Sequence, residues 1–301
     1  MKELVHCARI VSIVILLVLC CVAHGEPHLS DFKSAKDRLT LKPGEKLVYT
    51  VRWMRMPVGT AVTHVQGMTE VDGRPVYNLL TYTKANRLIS LIYKVDDRMT
   101  SQVDAETFRP LFFKKRLREG RRKKDQQFKF DWEKKEVTYY KGRGKNIRKR
   151  RTIPLEDYTQ DPLSALYFLR GMDLSVGVES TLNIVTSRKC WDVAIKPLKK
   201  EQIYLRGLGE FTAFVIEPVV EFEGLFVHKN KLKIWLEEET KIPLKMIADI
   251  PIGSISLILS EVIDTSVAVT KEEPAAVPEG VGEEDPWRVG KEEETAGRKR
   301  R

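Results

Sequence analysis

Over most of the chain, hydrophobic and polar residues change places at every second position. Leu47, Tyr49, Val51 and Trp53 alternate with Lys46, Val48, Thr50 and Arg52, the period of a strand with one buried face. Asp72-Gly73 separates "TAVTHVQGMTEV" from "PVYNLLTYTKA", a two-residue hairpin signal, and Glu119-Gly120 stands between "LFFKKRLR" and "RRKKDQQFKFDW" in the same way. Gly142 and Gly144 break "EVTYYKGRGKNIRKRRTI" into a further hairpin, and Gly207-Leu208-Gly209 reads as another turn. Seven more strand-like runs follow, from "STLNIVTS" to "SISLILSEVI". Some fourteen or more strands on tight turns form an antiparallel meander, and so wide a sheet has to curl into a half-barrel, an open barrel or two packed layers.

One segment departs from this period. In "QDPLSALYFLRGM", Asp161 suits an N-cap, Pro162 the first helical position and Gly171 the stop, which predicts a helix over 162–170. Its residues are apolar nearly all round, so the helix must be buried, inside the curled sheet or across its mouth. The expected fold is mainly β: a large curled antiparallel sheet of meander topology with one short buried helix.

The two ends of the chain read differently. Lys2 and Arg9 precede an apolar run over residues 10–22, and Ala23-His24-Gly25 follows, the pattern of a cleaved secretory signal peptide at 1–25. The run is short for a permanent membrane anchor, the alternative reading. A lipobox fits poorly, because Leu19 or Cys20 fills the place before the cysteine where a small residue is required. After Asp264 the strand pattern stops; residues 271–301 carry nine acidic and seven basic side chains with few large apolar ones, so 266–301 is expected to be a disordered charged tail. A single β domain is left at 26–265, in a periplasmic or secreted protein. Cys7, Cys20 and Cys21 leave with the leader, and Cys190, in a strand-like context with no histidine partner, reads as an inert buried thiol.

Several phrases carry a family likeness: "PGEKLVYTVRWMRMPVGTA", "SLIYKVDDRMTSQVDAETFRPLFFKKRLREG", "QDPLSALYFLR", "FEGLF" and "IPIGSISLILSE". In this order they resemble the exported bacterial proteins grouped as domain of unknown function 3108 (DUF3108). The resemblance implies a Gram-negative envelope protein of mainly β structure, and it brings no established activity and no catalytic residues. More distantly, a curled sheet holding a helix resembles the periplasmic lipoprotein carriers and lipocalin-like binders.

Charge alters the picture in one place. The chain carries a net +10, yet residues 109–151 hold nineteen Lys or Arg against five Asp or Glu. Eight of those cations fall within positions 114–127, flanked by aromatic residues. Export and the period-two alternation argue against nucleic acid: Phe128, Phe130 and Trp132 share one face while Lys129 and Asp131 share the other. In the strand before the turn, Lys114, Arg116 and Arg118 share a face with Phe112, opposite Leu111, Phe113 and Leu117. Two readings stand side by side, an ordinary solvated face and a contact for envelope anions such as lipid head groups or acidic glycans.

The remaining chemistry is sparse. His28, His64 and His228 are far apart and no metal-ligand spacing occurs, so no metal or cofactor is expected. Asp96, Asp97, Asp104 and Glu106 are the carboxylates a hydrolase would use, but surface pairing and turn capping suit them better. The expectation is therefore a non-enzymatic binding or carrier protein of the cell envelope, for a lipid or other amphipathic anion, with peripheral membrane contact. Trp53, Phe113, Phe128, Phe130 and Trp132 are the candidate walls of its cavity, and Lys114, Arg116, Arg118, Arg121 and Arg122 the candidate contacts to the anionic head. The alternatives are an assembly factor docking on an anionic protein or polysaccharide, and a glycan or lipid hydrolase.

Overall fold

A computed structural model describes residues 35, 37–39, 41–144, 146–187, 189–217, 232–250 and 253–264. The expected leader and charged tail, His28 and His228 lie outside these residues. Among the described residues, alternation and turn chemistry produce fifteen strands: β1 (Lys46–Trp53), β2 (Met56–Val71), β3 (Arg74–Ala85), β4 (Asp96–Asp104), β5 (Pro110–Glu119), β6 (Arg122–Asp131), β7 (Glu136–Arg143), β8 (Asn146–Pro154), β9 (Ser180–Val185), β10 (Cys190–Ile195), β11 (Pro197–Leu205), β12 (Gly209–Ile216), β13 (Leu232–Glu237), β14 (Pro243–Asp249) and β15 (Ser254–Ile263). Asp72 and Gly73 both adopt positive φ, as the tight turn between β2 and β3 requires. The turn between β5 and β6 centres on Gly120-Arg121, one residue later than the sequence reading, because Glu119 still pairs with Arg122.

Thirteen strands form one antiparallel sheet in the order β11-β12-β13-β14-β15-β1-β2-β3-β4-β5-β6-β7-β8, and β9-β10 is a separate hairpin. The pairing of β1 with β15 brings the two ends of the meander together. Among the described residues β8 and β11 remain unpaired edges, so the sheet is curled but not closed. The curl is steep: laid flat, β14 and β4 would stand roughly 24 Å apart, yet Met246 of β14 and Met99 of β4 line the same crevice.

Inside the curl lies α2 (Pro162–Phe168), continued by one 3₁₀ turn (Leu169–Gly171). Leu163, Ala165, Phe168 and Leu169 join Val51, Leu79, Phe113, Ile234 and Leu257 in one core. A second short helix, α1 (Arg87–Ile92), joins β3 to β4 and is absent from the sequence reading; it buries none of its residues.

A helix in an apolar interior cannot leave its terminal backbone groups to water. At the N-terminal end, Asp161 Oδ1 accepts from Leu163 N at 2.7 Å and Ser164 N at 3.0 Å, while Ser164 Oγ accepts from Asp161 N at 3.0 Å. Asp161 Oδ2 accepts from Ser101 Oγ of β4 at 2.5 Å, tying the cap to the sheet. At the other end Arg170 grips Glu45 in a two-pronged pair, Nη1 to Oε1 at 2.5 Å and Nη2 to Oε2 at 3.0 Å, with both side chains buried. Gly171 leaves no room for a side chain, since a Cβ there would stand 2.0 Å from the Ala35 carbonyl oxygen.

Removing Glu45 strands a buried guanidinium. Glu45→Ala should therefore cost about 3–5 kcal/mol in denaturant unfolding, and the apolar pair Glu45→Leu with Arg170→Met clearly less; equal losses would argue against a desolvation cost. Burial pushes the Asp161 carboxyl from 3.8 up to about 6, against the hydrogen bonds that favour its charged form. Its folded value lies above its unfolded one, so its contribution to stability is full below about pH 4 and is lost as pH rises through about 6. Asp161→Asn, which keeps an N-cap but cannot ionise, should flatten the change in unfolding free energy between pH 4.5 and 7.5 by an amount on the order of 1–3 kcal/mol; an unaltered slope would place the titration elsewhere.

Candidate anion-binding site at the hairpin end of the sheet

The register of β3 to β8 sorts the basic stretch onto two faces. On the inner face one row runs across the strands as Thr81, Met99, Lys115, Gln126, Lys141 and Arg148. Nearer the turns the same face carries Leu117 beside Lys124, and Glu119 beside Arg122. Asp97, paired with Thr83, completes this face on β4. The outer face carries Arg98 beside Arg116, Lys114 beside Gln127, and Asp125.

The outer cations are engaged by neighbouring groups. Arg118 holds Asp125 through two bonds, Nη1 to Oδ1 at 2.7 Å and Nη2 to Oδ2 at 3.0 Å, and Gly144 N adds a third to the carboxylate at 2.9 Å. Against its own burial these bonds hold the Asp125 carboxyl below the usual range, and through Gly144 the carboxylate ties the β5–β6 hairpin to the β7–β8 turn. Arg116 stands 3.9 Å from Asp96.

The inner cluster is electrostatically uneven. Lys115 is only 4% exposed. Burial pulls its ammonium from 10.5 down to about 7; Asp97 and Glu119 oppose the shift, and Lys124 and Arg122 add to it. Lys124 is pulled down to about 8 by burial and by Lys141 and Arg122, with Glu119 opposing. Asp97 is engaged elsewhere as well, its Oδ1 accepting from Arg118 N at 2.7 Å. Four cations thus face two carboxylates in a partly dehydrated place, which favours a bound anion.

Beside this cluster an apolar crevice runs along α2, lined by Tyr49, Ala61, Met99, Leu163, Leu166 and Leu257. It contains about 450 Å³ of atom-free space, including its open mouth, of which only about 30 Å³ is wide enough for water to move in. Met99 belongs to both places, for it lines the crevice and is Lys115's partner across the strands. A wider, polar cleft follows the free edge of β8, between Arg150, Arg151, Thr152 and Glu156 on one side and Lys189 and Cys190 on the other.

The family model described as "Protein of unknown function (DUF3108)" matches residues 48–260. This chain belongs to that family. The match spans β1 to β15 and therefore includes both the basic cluster and α2. This DUF3108 protein is also similar to a solved structure from Brucella abortus, described as a beta-barrel-like protein of domain of unknown function DUF1849. The identity is 13% and the TM-score 0.46, over 74% of this chain and 98% of the other. No curated protein matches the chain.

The residues singled out from sequence do not converge on one spot. Lys114, Arg116 and Arg118 lie on the outer face, Arg121 at the turn and Arg122 on the inner face. Phe113 and Phe128 are core residues, their rings 5.5 Å apart, and Phe128 continues to Tyr139 at 5.0 Å. Phe130 stacks on Trp132, whose indole N–H donates to the Pro110 carbonyl at 2.7 Å. Trp53 packs at the other end of β1, and none of these five aromatics lines the crevice. Lys115, Lys124 and Lys141 were missing from the sequence reading, although Lys115 gave a signal by sharing the parity of Phe113 and Leu117.

The candidate carboxylates separate as well. Asp104 caps its turn by accepting from Glu106 N and Thr107 N at 3.0 and 2.7 Å. Asp97 is buried, contrary to the surface role expected of it, because it satisfies a strand N–H where the β4–β5 ladder ends. Cys190 is half-buried, hydrogen-bonded to the Pro154 carbonyl at 3.2 Å, and burial pushes its thiol up to about 12, well away from a nucleophile's range. Among the described residues no group of three or more His, Cys, Asp or Glu is placed to hold a metal.

Because the folded value of Lys115 lies below its unfolded one, the fold loses stability as pH falls through about 7. Lys115→Met should therefore raise the melting temperature at pH 6 by a few degrees in anion-free buffer, and the gain should shrink towards pH 10. A gain independent of pH would mean that Asp97 and Glu119 already neutralise the cluster.

Proposed function

We propose that this DUF3108 protein is a non-enzymatic binding module of the cell envelope that takes an amphipathic anion, with its charged head at Lys115 and Lys124 and its apolar part towards the crevice along α2. The observation that carries this reading is the position of Lys115. A buried cation, crowded by Lys124 and Arg122, stands directly across the ladder from Met99, a wall of the apolar crevice. A polar anion alone would not use the crevice, and an uncharged lipid would not use the cations. The crevice as it stands is too narrow for a full acyl chain, so a short apolar portion fits best unless the interior widens. The leader-like pattern of residues 1–25 supports a place outside the cytoplasm, where anionic lipids and phosphorylated glycolipids supply such ligands.

A second reading, an assembly factor, is favoured by the free edge of β8, whose basic side chains would suit an acidic strand added to the sheet.

Calorimetric titration with dihexanoyl phosphatidylglycerol, kept below its micellar concentration, separates the two. Binding at one molecule per chain, weakened at least tenfold in Lys115→Met and in Lys124→Met, is expected. Affinity unchanged in both variants would remove the inner cluster from consideration; no binding to the wild type, with capture of an acidic peptide that depends on Arg150 and Arg151, would favour the assembly factor.

A further inference from the structure

The turns at one end of the sheet gather an unusual set of side chains. The β1–β2 turn, α1 and the β5–β6 turn all lie on the rim reached by the C-terminal ends of β1, β3 and β5. Leu88, Leu91 and Ile92 of α1 are 75%, 81% and 57% exposed, and Met54 and Met56 of the neighbouring turn are about half exposed. Large aliphatic groups held this far into water, several together, mark a contact surface more often than a packing fault.

These groups are presented by a fixed scaffold. Asn86 caps α1, its Oδ1 accepting from Ile89 N at 2.9 Å, and it anchors the helix to the β1–β2 hairpin by donating from Nδ2 to the Pro57 carbonyl at 2.8 Å and from N to the Val58 carbonyl at 2.9 Å. Past the helix, Gly120 N donates to the Lys94 carbonyl at 2.7 Å, and Gly120 abuts the Tyr93 ring so closely that a Cβ would stand 2.8 Å from it. The apolar helix is therefore braced between the methionine turn and the basic hairpin.

The exposed charges around it are predominantly positive. Arg52, Arg55, Arg87, Arg121, Arg122 and Lys123 are exposed along this rim. Of the carboxylates near α1 and the hairpin, Asp96 lies beside Arg116, Asp125 is held by Arg118, and Asp97 and Glu119 are buried. Asp249, at the end of β14, is exposed.

We infer that this rim docks on the surface of an anionic lipid bilayer, with Leu88, Leu91 and Ile92 entering the head-group layer and the flanking cations meeting lipid phosphates. Charge complementarity selects this occupant: a ring of exposed cations about a small aliphatic tip matches an anionic, interfacial surface, whereas a second copy of the same rim would bring cation against cation. The inference builds on the anion-binding reading, because docking here brings the hairpin that carries Lys124 to the source of an amphipathic anion, but it rests on other residues and fails separately.

Co-sedimentation with vesicles of phosphatidylglycerol and phosphatidylcholine, against vesicles of phosphatidylcholine alone, tests it with the full chain. The wild type should partition onto the anionic vesicles and release as salt is raised. Leu88→Ser with Leu91→Ser and Ile92→Ser, all at exposed positions, should lower partition at least tenfold while binding of soluble dihexanoyl phosphatidylglycerol stays as in the wild type, and Arg121→Ser with Lys123→Ser should weaken partition on anionic vesicles alone. Wild-type partition by the triple variant, or a wild type that ignores both vesicles, would overturn the inference, as would a wild-type dimer that the triple variant breaks into monomers without any change in lipid binding. If Lys115→Met abolishes soluble-lipid binding and leaves vesicle partition intact, the docking inference holds independently of the pocket.

Discussion

Everything in this fold depends on placing the ends of a peptide helix where no water can reach them. A seven-residue helix gains little from its own hydrogen bonds and leaves several backbone groups open at each end. Here Asp161 and Ser164 satisfy the amino end, and Arg170 with Glu45 fastens the segment that follows the carboxyl end to the start of β1. Once those polar tasks are met, the apolar sides of α2 can serve as the filling around which thirteen strands wrap. The sheet needs such a filling, because a meander this wide would otherwise expose an apolar face far larger than a monomer tolerates.

The same constraint gives the inner surface two characters. Where α2 lies against β3 and β4, the sheet's inner positions are Leu79, Thr81, Met99, Ser101 and Val103, apolar or carrying a single hydroxyl. Towards the turns of β5 to β8 the inner positions become Lys115, Lys124, Gln126 and Lys141, polar groups held near an apolar wall. Stability alone gives no reason for this change, since crowded cations depress one another's proton affinity and cost free energy at neutral pH. The structural cations of the same region behave differently: Arg118 is matched by Asp125 in a fork geometry. On one and the same strand, Arg118 is matched by a carboxylate while Lys115 is buried close to other cations.

Much of this was legible in the residue pattern, for physical reasons. Period-two alternation with Asp-Gly and Gly turns specifies strand register locally, so the meander and its turns follow from it, and the buried helix follows from Asp161, Pro162 and the apolar residues after them. What the pattern cannot convey is the third dimension. Lys114, Arg116 and Arg118 looked equivalent, yet it is Arg118 that forks onto Asp125, although Arg116 is the residue directly opposite it in the ladder. Lys115 stood in an apolar row between Phe113 and Leu117, and density of charge drew attention away from that irregularity of phase. The helix α1 escaped notice because six residues carry too little periodicity to stand out from the strands around them.

The unclosed seam of the sheet bears on how such a body could admit a guest. The strand β8 does not pair with β11; the gap is bridged instead by the β9–β10 hairpin, which meets the β8 end through the Cys190 thiol and the Pro154 carbonyl. A closed barrel enlarges its bore only by breaking a continuous ladder of backbone bonds. Here the two margins share no ladder, so moving them apart breaks none of the pairings that join the thirteen strands.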